Sequence, residues 1–353
     1  MFFKRPKQLV AIDIGSYAVK LTQLKESGRG YQLTHFGMIP LAPEAIVDGT
    51  IMDAGSVAEA IRRLGEMEQV KTKEVVTALS GHAVIIKKIQ LPRMSEEELA
   101  ESIQWEAQQY IPFDVEEVNI DFQILGNGDR EGESQMDVLL VAVKKEKIDD
   151  YTGLLVEAGF TPVVVDVDVF ALENSFELNY PEELDKVVAL INIGASLINI
   201  NILVHGVTSF QRDSSPGGNR YTERIQRELH IGYEQAEALK FGVEVGGFSP
   251  KEILPILRSV TEDIAAEIQR SFEFFRATSG DISIDKIYLS GGCARIRGID
   301  RYLSSKLDIP TEIVNPFKNL RVDEKVFDPL YLHSIAPLAA VGVGLALRRV
   351  DDR

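Results

Sequence analysis

The chain has 353 residues, 45% of them hydrophobic, which suits two globular lobes, and no apolar run reaches the roughly 18 residues that cross a bilayer. Its formal net charge of -16 argues against a nucleic-acid binder, because phosphate backbones are held by clustered lysines and arginines. A single cysteine, Cys293, excludes an intrachain disulfide and favours a reducing compartment, so we expect a cytoplasmic protein.

The first strand contains a turn that recurs about half a chain later. Segment 12–16 reads IDIGS and segment 191–196 reads INIGAS, and an apolar strand restarts after each glycine. Gly15 and Gly194 can take positive φ there, which would let backbone amides close around a phosphate. The repeat predicts two related lobes whose hairpins clamp a polyphosphate from both sides.

Hydrophobic periodicity gives the first lobe three strands, one helix and a fourth strand, at 9–14, 18–25, 31–39, 56–66 and 74–79. A compact α+β block follows, with strand 83–89, helix 95–110, strands 118–125 and 136–143, helix 145–158 and strand 162–167. Ser95 and Glu98 form the capping box of its first helix. Trp105, on that helix, is expected in the core rather than at a contact surface.

The second lobe repeats the opening pattern. After a helix at 169–179, strands are predicted at 187–193, 196–204 and 207–212, and helices at 218–228 and 233–241. A long helix is expected to begin at Ser249, with Pro250 and Glu252 completing its start. Strand 286–290 leads to Gly291, Gly292 and a helix ending near 307. The last helix, at 334–349, carries many small residues, which let another helix approach closely.

Four of these motifs, in this order, resemble those of the actin-like ATPase superfamily. They are the two phosphate turns, the adenosine motif at 289–292 with Gly298 beyond it, and the small-residue helix at 339–346. The resemblance implies an α/β, actin-like (ribonuclease H-like) fold of two lobes with an α+β insertion in the first. The expected limits are 1–180 for the first lobe, with the insertion at about 82–166, then 181–330 for the second, and 331–353 for a C-terminal helix returning to the first.

Within that superfamily the chain is similar to the PilM family of the type IV pilus inner-membrane assembly platform. The similarity runs from end to end and is carried by segment 106–113 (EAQQYIPF), the start MFFK and segment 166–172 (DVDVFAL).

The resemblance implies a site for ATP or ADP with Mg²⁺. Asp13 would hold the metal through water and take part in catalysis, Gly15, Ser16 and Tyr17 would face the phosphates, and Lys20 would neutralise their charge. The remaining nucleotide-binding residues would be Asn192, Gly194, Ala195, Ser196, Gly217, Gly218, Glu237, Lys240, Gly291, Gly292 and Ala294.

Plainer interpretations stay open for three of these motifs. Asp13 could cap its turn, the pair Glu237 and Lys240 could be a surface ion pair rather than a ribose clamp, and Gly217-Gly218 could be only the entry to a helix.

Asn192 departs from the superfamily pattern. Asp is common at that position, where its charge helps to hold the metal and the attacking water. A neutral amide cannot carry that charge, so we expect ATP binding, with Asn192 touching the metal through water, and at most slow hydrolysis. Asp166 is the candidate for residual catalysis, although a charge placed before a helix is the alternative.

The family resemblance implies a cytoplasmic ATP-binding scaffold that binds the N-terminal tail of the membrane protein PilN. Tyr110, Ile111 and Phe113 are candidates for the peptide groove on the insertion. Other pilus platform or motor proteins and a homo-oligomer are further possible partners, and contact with the inner membrane would run mainly through PilN. A small-molecule kinase and a filament-forming actin homologue are the alternatives.

Overall fold

The computed structural model describes residues 8–28, 30–125 and 134–350, so the MFFK start and the last three residues lie outside the described part. Its strands are β1 Val10–Ile14, β2 Ala18–Ser27, β3 Gly30–Pro40, β4 Ile46–Val47, β5 Thr50–Ile51, β6 Glu74–Leu79, β7 Val84–Pro92, β8 Val118–Leu125, β9 Gln135–Lys144, β10 Thr161–Val167, β11 Val187–Ile193, β12 Ile198–Val204, β13 Val207–Ser214, β14 Lys286–Ser290 and β15 Thr311–Ile313. Its helices are α1 Ala54–Met67, α2 Glu96–Ala107, α3 Lys145–Glu157, α4 Asp168–Asn179, α5 Asn219–Leu229, α6 Tyr233–Lys240, α7 Leu254–Thr278, α8 Ile299–Leu307, α9 Pro329–Ile335 and α10 Ala340–Leu345.

Two five-stranded sheets with the same plan form the lobes. The first has the order β10-β6-β1-β2-β3 and the second the order β13-β12-β11-β14-β15. In each sheet three antiparallel strands come first in the chain, and later strands join in parallel beside the first of them. Both opening strands are buried almost throughout, which explains their unbroken apolar sequences. The predicted two-lobed α/β fold is confirmed.

The register of the two opening hairpins is also the same. Asp13 lies opposite Lys20 in the first lobe, and Asn192 lies opposite Asn199 in the second. The repeated sequence therefore builds the same hairpin twice, with a charged pair in one lobe and an amide pair in the other.

A separate three-stranded sheet of order β7-β9-β8 forms the insertion, and α2 covers one face of it. After this sheet, α3 packs against α1 in the core of the first lobe and β10 pairs with β6. The limits of about 82–166 expected for the insertion stay a prediction. The capping box of Ser95 and Glu98 is confirmed. Helix α2 ends at Ala107, earlier than the predicted residue 110. The limits expected for the two lobes stay a prediction.

Trp105 is not in the core, because its side chain is 74% exposed. The buried positions of α2 are Leu99, Ile103 and Ala107, which follow each other at intervals of four residues. Trp105 falls on the opposite side of this stripe, so the expectation of a core residue was wrong.

Helices α4 and α10 lie between the two sheets and cross at very close range. A Cβ atom added to Gly344 would stand 1.6 Å from the backbone oxygen of Ala171. Only glycine allows this approach, as the run of small residues predicted.

Two further predicted helix limits are wrong, and proline explains both. The long helix begins at Leu254, because Pro255 has no N–H and fits only in the first turn of a helix. In the turn before this helix, the side chains of Ser249 and Glu252 each accept a hydrogen bond from a backbone amide. The last helix is divided into α9 and α10 by a short 3₁₀ turn at Ala336–Leu338 that contains Pro337. Among the described helices, none is both long enough and apolar enough to traverse a bilayer.

Candidate functional site

A cleft of about 1030 Å³, including its open mouth, lies between the lobes. Both hairpins reach it, together with α6 and the turn after β14. Of the predicted nucleotide residues, those lining it are Asp13, Gly15, Ser16, Tyr17, Lys20, Asn192, Gly194, Ala195, Ser196, Gly218, Glu237, Lys240, Gly291 and Gly292. The structure thus brings residues from distant parts of the sequence into one space.

The two hairpin turns have matching geometry. The amide of Gly15 donates to the Ala18 oxygen at 3.1 Å, and that of Gly194 donates to the Leu197 oxygen at 2.9 Å. Neither glycine has positive φ, contrary to expectation. Glycine is favoured instead because a Cβ atom at either position would lie 3.3 Å from the carbonyl oxygen that closes the turn.

The bases of the two hairpins differ in charge. Lys20 Nζ donates to Asp13 Oδ2 at 2.7 Å, and both side chains are largely buried. In the second lobe Asn192 Nδ2 donates to Asn199 Oδ1 at 3.0 Å, while Ser290 Oγ donates to Asn192 Oδ1 at 3.3 Å. Asn192 is thus held directly by two neutral groups, an amide and a hydroxyl, and brings no charge to the cleft.

Glu237 and Lys240 form an ion pair on α6, and both face the cleft. Lys240 is only 6% exposed, and its ammonium also donates to Thr222 Oγ1 at 2.9 Å. Thr222 donates in turn to Glu237. The pair is therefore a buried, fixed arrangement, and the alternative of a surface ion pair is wrong.

Gly217 and Gly218 do not offer free amides. The Gly217 amide donates to the Ser196 oxygen and the Gly218 amide to the Gly194 oxygen, each at 2.8 Å. A Cβ atom on Gly218 would lie 2.3 Å from Cys293 Sγ. These glycines let the second hairpin and α5 pack closely, and Gly217 does not line the cleft. The interpretation as a helix entry fits the structure.

Asp166 lies outside the cleft. Its Oδ1 accepts from the Val167 amide at 2.8 Å, and its Oδ2 lies 3.2 Å from Arg348 Nε. Asp168, the first residue of α4, lines the cleft in its place. The sequence has two aspartates near the end of β10, Asp166 and Asp168. The residue at which α4 begins determines which of them lines the cleft.

The carboxyl of Asp168 is chemically unusual. Burial, with the negative charge of Asp13 as the next cause, raises its pKa to about 7, although a hydrogen bond with the Ser80 hydroxyl opposes the shift. Other lining residues that the motifs did not indicate are Ser80, Tyr151, Asn199 and Arg295. Ser80, Tyr151 and Arg295 belong to no motif repeated between the lobes, whereas Asn199 is the partner of Asn192 in the second hairpin.

Four further predicted residues are buried or partly buried away from the cleft. Ala294 is buried in the core of the second lobe, behind the lining residues Gly291 and Gly292. Ile111, a candidate for the peptide groove, is buried in the core of the insertion. Tyr110 and Phe113 are partly buried beside it, and Lys144 Nζ lies 4.5 Å from the centre of the Phe113 ring.

The donor set of the cleft fits a polyphosphate. The amides of Ser16, Tyr17, Ala195 and Ser196, at the tips of the hairpins, donate to no protein acceptor in the described part of the chain. Lys20 lines the same cleft and carries a positive charge, which is paired with Asp13. Within residues 8–28, 30–125 and 134–350, no cluster of three or more His, Cys, Asp or Glu side chains is arranged to hold a metal directly.

Comparison with solved structures gives the same fold. The ethanolamine utilization protein EutJ from Carboxydothermus hydrogenoformans matches 98% of this chain and 90% of its own, with 15% identity and a TM-score of 0.61. MreB5 of Spiroplasma citri bound to ADP matches 93% of this chain and 98% of its own, with 16% identity and a TM-score of 0.54. The chain is a protein of the actin-like ATPase fold, with a cleft between two lobes of the same plan.

The family follows from two closer matches. The family model described as "Type IV pilus assembly protein PilM" matches residues 11–350. The chain is also similar to a protein solved in a PilM-PilN type IV pilus biogenesis complex, with 32% identity over 99% of this chain and 100% of that one, and a TM-score of 0.88. This chain belongs to the PilM family of type IV pilus assembly proteins.

Proposed function

We propose that the chain is an ATP-binding scaffold of type IV pilus assembly that holds its nucleotide in the cleft between the lobes. The observation that carries the nucleotide half is the meeting of both hairpins, the Glu237–Lys240 pair and the Gly291-Gly292 turn in one cleft. Phosphates would accept from the hairpin amides and from Lys20, and the ribose would lie beside Glu237 and Lys240. That MreB5 of the same fold was solved with ADP supports this assignment.

Mg²⁺ bound with the nucleotide would neutralise phosphate charge and polarise the terminal phosphate. Asp13 would hold its waters, and Asn192 would add an amide oxygen without adding charge. Because the second hairpin supplies no carboxylate, we expect hydrolysis to be slow or absent. Asp168, rather than Asp166, would accept a proton from an attacking water, and its raised pKa leaves only part of it ionised at neutral pH.

The partner would be the N-terminal tail of a PilN-like membrane protein. The likeness to a protein solved in a PilM-PilN complex supports this part of the proposal. The inserted sheet is the proposed site, with Tyr110 and Phe113 as contacts, since Ile111 is buried. Through this tail the protein would sit at the cytoplasmic face of the inner membrane, where other platform or motor proteins and further copies of the chain could join it.

Two titrations test the two halves separately. Mg-ATP is added to the purified protein while its melting temperature is followed, and a synthetic peptide of the PilN N-terminal segment is titrated by fluorescence anisotropy. We expect saturable binding in both. Failure of Mg-ATP to stabilise the protein at millimolar concentration would refute the nucleotide half, and absence of peptide binding would refute the scaffold half. ATP turnover that requires a small-molecule acceptor would favour a kinase instead, and robust polymers with ATP would favour a filament former.

A further inference from the structure

One backbone amide joins the two lobes at the point where the insertion begins. The turn at residues 80–83 follows β6 of the first lobe and leads into β7 of the inserted sheet. The amide of Gly81, in this turn, donates to Asp213 Oδ2 at 2.6 Å. Asp213 belongs to β13 of the second lobe, and β13 also packs beside β7. Any change in the separation of the lobes therefore acts on the entry to the insertion.

Asp213 is suited to this contact because it accepts with both oxygens. Besides the Gly81 amide, it accepts from Asn199 Nδ2 at 2.9 Å and from Gln211 Nε2 at 2.7 Å, both at Oδ1. Burial raises the pKa of this carboxyl, but three donors on its two oxygens favour the ionised form. An Asn at this position would direct its NH₂ group at one of the donors, so even this small change would break the arrangement.

The same carboxylate is linked to the cleft by a short chain of side chains. Asn199 accepts from Asn192, which accepts from Ser290, so the base of the second hairpin is connected to Asp213. On the other side of Gly81, Ser80 lines the cleft and its hydroxyl bonds to Asp168. Residues 80–81 thus touch the cleft, the second lobe and the insertion at once.

We propose that Asp213 is a positioning residue that couples occupancy of the cleft to the orientation of the inserted sheet, and so to binding of the peptide partner there. The inference rests on the proposed function. Nucleotide that favours the closed arrangement of the lobes favours the Gly81–Asp213 bond, and this bond sets the angle at which β7 leaves the first lobe. By linkage, the peptide changes the affinity for nucleotide by the same factor.

The test compares the affinity of the PilN N-terminal peptide with and without Mg-ATP, in the full chain and in two variants. Asp213→Ala removes the bond between the lobes. Asp285→Ala is the matched control, because Asp285 Oδ2 also accepts from a backbone amide, that of Val187 at 2.9 Å, but within the second lobe. We expect Mg-ATP to change the peptide affinity at least about fivefold in the wild type and in Asp285→Ala, and to leave it unchanged in Asp213→Ala.

Each other outcome has a defined meaning. An unchanged ratio in Asp213→Ala overturns the inference, and so does a wild type that binds both ligands without coupling, although the proposed function then stands. A wild type that binds neither ligand removes the proposed function and the inference together. Should Asp213→Ala fail to fold, hydrogen exchange of the wild type decides: Mg-ATP should slow exchange at residues 81–84, and exchange that ignores the nucleotide overturns the proposal.

Discussion

The crossing of α4 and α10 gives the sharpest prediction of the fold, through the variant Gly344→Ala. Ala is favoured over Gly by about 1 kcal/mol in an ordinary helix interior. Here the added Cβ would stand 1.6 Å from the Ala171 oxygen, where real contacts stay beyond 3.0 Å, so the two helices must separate by more than 1 Å. Overpacking of this kind costs about 3 kcal/mol or more when backbone atoms stand on both sides. The net loss in the free energy of unfolding is about 2 kcal/mol or more.

Urea and thermal unfolding without nucleotide measure this loss, which corresponds to a melting temperature lower by roughly 3 °C or more. Gly153→Ala in α3 is the matched control, because a Cβ atom there meets nothing within 4 Å. We expect that variant to be neutral or up to about 1 kcal/mol more stable than the wild type. If both variants unfold at the same urea concentration and temperature as the wild type, the close crossing of α4 and α10 is not present in the folded protein.

Three further variants or measurements test the site and the surface. Lys20→Ala should weaken Mg-ATP binding about 10- to 100-fold in a calorimetric titration, since a charge-assisted contact is lost, whereas Lys25→Ala, on an exposed part of the same strand, should change it less than about twofold. The folded-state pKa of Asp168 is raised to about 7, so its ionisation destabilises the nucleotide-free protein as pH rises. Asp168→Asn should therefore add on the order of 2 kcal/mol to the free energy of unfolding at pH 8 and nothing near pH 4. Equal stability of variant and wild type at pH 8 would contradict the burial of that carboxyl. Trp105, the single tryptophan, should emit at nearly the same wavelength in the folded and the unfolded chain, because it is 74% exposed; strongly blue-shifted native emission would show that it is covered.

The repeated turns and most of the strands could be predicted from the sequence, because each depends on local pattern and spacing, whereas most of the nucleotide-site residues were expected from the resemblance to the actin-like ATPase superfamily. What could not be predicted depends on where elements begin and on long-range partners. Which of Asp166 and Asp168 lines the cleft depends on the residue at which α4 begins. The amides of Gly217 and Gly218 donate to carbonyl oxygens of a hairpin about 20 residues earlier in the chain. Trp105 was misplaced because a large aromatic residue is usually buried, although the spacing of Leu99 and Ile103 on α2 already pointed to the opposite side.

The contact between Gly344 and Ala171 also constrains how the lobes can move. With no side chain between them, the two helices cannot slide along one another without a clash, but they can turn about the point where they touch. The lobes would then open and close by rotating about this contact, which would stay in place. Atoms near this contact would hardly shift, whereas displacements would grow with distance from it, so a small rotation would be enough to change surfaces remote from the crossing.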